Sequence, residues 1–116
     1  MINYTLPEIP PSNNKFIGRE NRWEYQKIKK YWAELIFYTC IPRPVKPLTD
    51  VTVQITYYFP NRIRRDPDNY SGKMILDGLV KAGVLADDSF NCIKLRLGAF
   101  VDKTSPRTEI SIIREE

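Results

Sequence analysis

Residues 51–89 read VTVQITYYFPNRIRRDPDNYSGKMILDGLVKAGVLADDS, and this stretch decides the fold. Its start alternates Val51, Val53, Ile55, Tyr57 and Phe59 with Thr52, Gln54, Thr56 and Tyr58. β-Branched and aromatic residues at a period of two specify a strand, which Pro60-Asn61 closes. From about residue 70 to 81 the period becomes helical. Ile75, Leu79 and Ala82 make an apolar row with Met74 beside it, and Lys73, Asp77 and Lys81 make a polar row at i, i+4, i+8. Gly83 stands where a left-handed helix stop belongs.

Working outward, Ile2-Asn3-Tyr4-Thr5-Leu6 alternates as a first strand and is stopped by Pro7, Pro10 and Pro11. Pro10-Pro11-Ser12-Asn13-Asn14 is rich in turn-forming side chains. A helix is expected from about residue 20 to 38. Ile28, Trp32, Leu35 and Ile36 share its apolar stripe, with Tyr25 close by, while Lys27, Lys29 and Lys30 point mostly elsewhere. Those lysines read as a solvated face or as phosphate contacts. Pro42, Pro44 and Pro47 end the helix and make an extended connector. Downstream, Ile93, Leu95 and Leu97 alternate with Lys94 and Arg96, and Ile110 and Ile112 flank Ser111. The order β-α-β-α-β-β predicts an α+β fold over 1–116, a single domain with a small mixed β-sheet and two main helices.

Composition narrows the setting. The chain has 116 residues, a net charge of +4 and 42% hydrophobic residues, which fits a globular domain with an anionic partner. No apolar run is long enough to span a membrane, and the N-terminus lacks the pattern of a signal peptide. Cys40 and Cys92 are too few and too far apart for a zinc pattern or a disulfide framework, so reduced buried thiols and a cytoplasmic setting are expected. There is no histidine. A general base must then be a carboxylate, lysine, tyrosine, cysteine or metal-bound water.

Between Arg62 and Ser89 stand five carboxylates and five basic residues. Arg62, Arg64 and Arg65 run into Asp66 and Asp68, which straddle Pro67. In an extended segment, side chains at i and i+2 leave the same face, and Pro67 holds Asp66 out of the helical region. Clustered carboxylates repel unless a cation neutralises them, and few hard oxygen ligands suit Mg²⁺ or Mn²⁺. Asp87 or Asp88 can supply a third ligand if Gly83 turns the chain back along the helix, and Asp77 can reach the same place. Each acid also has a plainer reading. Asp68 or Asn69 can cap the helix, Asp87-Asp88 can be a surface turn, and Asp77 can pair with Lys81. A calcium-loop spacing fails, because Tyr70 and Ser71 stand where an acid or amide and a glycine are needed. A basic approach beside an acidic cluster points to phosphodiester chemistry.

Pro10-Pro11-Ser12-Asn13-Asn14, Arg64-Arg65-Asp66-Pro67-Asp68-Asn69, Lys73 with Asp77, and Ala82-Gly83-Val84-Leu85-Ala86-Asp87-Asp88 together resemble the RusA family of Holliday-junction resolvases, small dimeric endonucleases often carried by prophages. The resemblance spans nearly the whole chain. One departure is an interval from Asp68 to Lys73 that is one residue longer than the family pattern, around Ser71-Gly72. The resemblance implies catalytic, metal-binding roles for Asp66, Asp68 and Asp88, a catalytic lysine at Lys73, Mg²⁺ or Mn²⁺ as cofactor, and a homodimer that cuts four-way DNA junctions. Arg62, Arg64, Arg65, Asn13, Asn14, Lys15 and Asn69 are the candidate DNA contacts. Rival readings are a nuclease for flaps or other branched DNA, a basic DNA-binding protein without catalysis, and an interaction module using Tyr57, Tyr58 and Phe59. Core packing is the simpler role for those three aromatics.

Overall fold

The computed structural model describes residues 1–16 and 22–114. Along the chain come β1 (Ile2–Leu6), α1 (Arg22–Thr39), β2 (Val51–Phe59), α2 (Lys73–Lys81), β3 (Ile93–Val101) and β4 (Arg107–Arg114). Two 3-10 turns, Asn13–Phe16 and Pro67–Asn69, precede α1 and α2. This is the expected order. The first residues expected in α1, 20 and 21, lie outside the described residues. Helix α2 begins later than its apolar period predicts, because residues 67–69 form their own turn and Gly72 breaks the helix at its φ of +81°.

The sheet runs β1-β4-β2-β3, so β2 has a neighbour on each side. Strand β4 lies antiparallel to β1 and β2, whereas β3 is parallel to β2, with Val51 beside Ile93 and Phe59 beside Val101. Parallel neighbours require a crossover, and α2 supplies it. Val51, Val53, Ile55, Tyr57 and Phe59 are all buried and face the helices. Trp32 and Ile36 of α1 and Ile75 and Leu79 of α2 pack into the same core, beside Ile110 and Ile112. Tyr57 and Phe59 are therefore core residues. Tyr58 points to the other face, where it stacks on Phe100 with ring centroids 5.6 Å apart.

Helix α2 ends as Gly83 predicts. The Gly83 amide donates to the Val80 carbonyl, and the Val84 amide reaches back to Leu79 at 2.9 Å. This is a Schellman stop, with buried Val84 and Leu79 as its apolar contact. At Gly78 a methyl group would come within 2.5 Å of Ile36 Cδ1, so the missing side chain lets α1 and α2 approach closely. Both cysteines are free, Cys40 buried and Cys92 partly so. Burial pushes the Cys40 thiol up to about 11, which keeps it protonated and inert at neutral pH. Among the described residues, no helix is long and apolar enough to cross a membrane.

The link from β3 to β4 passes over the end of β2, where the Asp102 amide donates to the Phe59 carbonyl at 2.8 Å. Arg107 clamps this crossing. Its guanidinium lies 3.9 Å from the Tyr58 ring and donates to Asp102 and Glu109. The Arg107 hydrogen bond, helped by the Ser105 and Thr104 amides, holds the Asp102 carboxyl below the usual carboxylate range. A carboxyl depressed in the folded state stabilises it above the unfolded value, about 3.9, and loses that contribution as pH falls through the folded value. Asp102→Asn is therefore less stable than the parent at pH 7, and the gap closes below about pH 4. Urea unfolding across that range checks it.

Candidate metal and nucleic-acid site

Residues 60–72 leave the carboxyl end of β2 and carry the arginines and the first two aspartates. Arg65 knits this loop together. It donates to the Asn61 and Ile63 carbonyls and to Asn61 Oδ1 at 2.8 Å, and its guanidinium covers the Phe59 ring at 4.1 Å. Arg65 is thus engaged within the chain, whereas Arg62 and Arg64 are exposed. Arg64 makes one solvent-facing contact, Nε to Asp66 Oδ1 at 3.3 Å. Exposed pairs of this kind contribute little and exchange readily for another anion.

Asp66 has the extended backbone that Pro67 imposes, at φ −104° and ψ 143°. Its carbonyl accepts the Asn69 amide, but its carboxylate caps nothing and is 48% exposed. Asp68 lies within the Pro67–Asn69 turn and is also exposed. The expectation of one extended run from Asp66 to Asp68 is corrected here, because the 3-10 turn begins at Pro67. The helix-cap reading of Asp68 and Asn69 is corrected too: the residue before α2 is Gly72, and no side chain caps that helix.

Two devices fix the loop. Asn13 reaches across from the other 3-10 turn and donates its Nδ2 to the Asp68 carbonyl at 3.0 Å and to Ser71 Oγ at 3.1 Å. Gly72 presses on the sheet: a Cβ there would meet Ile55 Cδ1 at 2.5 Å, and the positive φ excludes most side chains. Of the other candidate contacts, Lys15 pairs with Glu24 at 3.3 Å, and Asn14 and Asn69 use their backbone amides in turns. A small cavity of about 100 Å³ lies beside Asp66, with Tyr57, Phe59, Tyr70 and Leu97 in its walls. Burial raises the Tyr57 phenol well above its ordinary value, so Tyr57 cannot serve as a base near neutral pH.

Lys73 opens α2 at the end of the same loop. Its Nζ is 3.8 Å from Asp77 Oδ2, and Lys29 Nζ of α1 approaches the same oxygen at 3.6 Å. Asp77 thus pairs with Lys73 and Lys29, and not with Lys81, the partner in its plainer reading. Lys29 turns inward to α2 instead of joining a solvated face. Nothing in its own helical period signals this, because its partner lies on another helix.

Asp87 and Asp88 are exposed at the opposite end of β2. Gly83 does not send the chain back along α2. The Leu48 amide donates to the Val84 carbonyl and the Ala86 amide to the Leu48 carbonyl, and these bonds tie residues 84–86 to the connector before β2. The chain then enters β3 at Ile93, beside Val51. Asp66 shares its cavity with Tyr57 and Phe59, about six residues along the strand, so roughly 20 Å separates the two acidic places. Intrachain convergence of Asp66, Asp68 and Asp88 is corrected accordingly. Among the described residues, no three metal-ligating side chains gather at one point. Asp66 and Asp68 bring two carboxylates to the same short loop, and oxygen donors of this kind suit a hard divalent ion that keeps most of its water. No protein-family model matches the chain, and no curated protein does.

Asn13→Ala removes both cross-links to the acidic loop. The expected cost is about 1–2 kcal/mol, with faster hydrogen exchange at the Asn69 and Tyr70 amides and unchanged exchange in β2. Exchange followed by NMR checks this.

Proposed function

We propose that this chain is a metal-dependent endonuclease of the RusA type, a cytoplasmic homodimer that resolves four-way DNA junctions by phosphodiester hydrolysis. The observation that carries the reading is the uncapped, half-exposed Asp66 carboxylate beside exposed Asp68, on a pinned loop rimmed by Arg62 and Arg64. Asp66 and Asp68 would hold Mg²⁺ or Mn²⁺, which when bound would supply a more acidic water and offset charge on the phosphate. Arg62 and Arg64 bind flanking phosphates through forked donors, and Arg64 exchanges Asp66 for DNA. Lys73 donates to the phosphoryl or leaving oxygen as charge develops there. Arg65 supports the loop from behind.

The distance to Asp88 favours the homodimer. Strand β3 is an edge strand on which Leu95, Leu97, Phe100 and Val101 are exposed together with Lys94 and Arg96, and the backbone groups of a sheet edge can pair with a second strand. In a symmetric antiparallel pair that uses all nine residues of β3, Leu97 meets Leu97, Leu95 meets Ala99 and Ile93 meets Val101. Arg96 meets Gly98 and Lys94 meets Phe100, so no like charges oppose each other. This pairing brings the second copy's residues before Ile93, Asp88 among them, alongside Val101 and Phe59, the end from which the Asp66 loop leaves. Two such copies have two symmetric sites, which suits two cuts at a junction.

The rival is a basic DNA-binding protein without catalysis, and the Arg64–Asp66 contact is the observation in its favour. Incubation of a labelled junction, a flap and plain duplex with and without Mg²⁺ separates the readings. The expected result is Mg²⁺-dependent junction cleavage. Asp68→Asn lowers its rate by about 10³ and leaves junction binding in Ca²⁺ intact. Unchanged cleavage by Asp68→Asn contradicts the enzyme reading.

A further inference from the structure

We infer that Asp77, braced by Lys29, is the positioning residue for Lys73; the inference rests on the endonuclease reading, in which Lys73 meets the reacting phosphate. Asp77 sits in the second turn of α2 at the contact with α1. Its Oδ2 is shielded from solvent and accepts no hydrogen bond, yet two ammonium groups stand at 3.6 and 3.8 Å. A shielded carboxylate oxygen needs a cation. For that purpose Lys29, whose side chain is 30% exposed, suffices. Lys73 is 61% exposed and occupies the first residue of α2, where the positive end of the helix disfavours a cation. No side chain caps that end to offset it. Lys73 therefore stands in an unfavourable place for a surface charge and a favourable one for a phosphate-binding group.

A lysine side chain is long and rotamer-rich, so it needs something to hold it if its ammonium is to meet one oxygen. Asp77 supplies this from one helical turn away. Lys29, approaching from α1, keeps Asp77 from fully neutralising Lys73. The three groups together carry one net positive charge next to the Asp66 and Asp68 loop. Asp77 itself touches neither substrate nor metal in this account.

The test measures junction cleavage in Mg²⁺ and junction affinity in Ca²⁺ for the parent, Asp77→Asn, Lys73→Met and the double variant. Asp77→Asn is expected to lower kcat by on the order of 10- to 100-fold while affinity changes little. In the Lys73→Met background the same change costs nothing further, because the residue it positions is gone. Asp77→Glu recovers part of the loss. Equal losses from Asp77→Asn in both backgrounds, or none in the parent, overturn the inference. If Asp77→Asn fails to fold, Lys29→Gln in the two backgrounds gives the same comparison. A parent chain that does not cleave overturns the endonuclease reading itself, a result distinct from an active parent whose two variants are additive.

Discussion

The parallel pairing of β2 with β3 is the constraint on which the rest of this structure depends. Two adjacent strands that run the same way cannot be joined by a tight turn. The chain must leave one end of β2, return along the sheet and enter β3 beside the start of β2. Helix α2 makes that return, buried on one side through Met74, Ile75, Leu76 and Leu79. The loop before α2 therefore sits at one end of the sheet and the turn after it at the other. The Asp66–Asp68 loop and the Asp87-Asp88 turn inherit these positions from topology, whatever their chemistry.

Within that frame, the segment from Pro60 to Lys73 is built for rigidity with its carboxylates left open. The side chains that hold it, Arg65 and Asn13, bond chiefly to main-chain carbonyls, and neither touches the carboxylates of Asp66 or Asp68. Pro67 sets the backbone before it, and Gly72 lets the loop lie against Ile55 and Tyr57 of β2. The opposed edge of the sheet is the complement of this economy. Strand β3 forms one margin of the sheet, and in the proposed symmetric pair the same crossover that separates the acids within one chain would set them at matching ends of that margin.

Much of the fold was legible because its signals are local. Strand β2 was written by nine residues of strict alternation, β1 by five residues before a proline, and the end of α2 by Gly83, whose left-handed φ needs no distant partner. The start of α2 was misread, since its apolar period runs on while Gly72 and Pro67 interrupt the backbone. The site was legible in residue type and less so in geometry. Asp66 stood out through Pro67, a neighbour in sequence. Lys29 did not stand out, because its partner Asp77 is on another helix, and Asn13 meets Asp68 across 55 residues. The fate of Asp88 depended on where the chain goes after Gly83. That is set by the bonds of residues 84–86 to Leu48, which no local pattern announces.

The central claim is that the carboxylates at the two ends of β2 act together only across two copies of the chain. Subunit mixing tests it most directly. Asp66→Asn and Asp88→Asn chains, each inactive alone, are unfolded together, refolded as a mixture and assayed for junction cleavage in Mg²⁺. A heterodimer has one site with both substitutions and one with neither, so the mixture should recover about a quarter of the parent activity, half of the dimers carrying one of two sites. A mixture as inactive as its components, under conditions where exchange is demonstrated, contradicts the account.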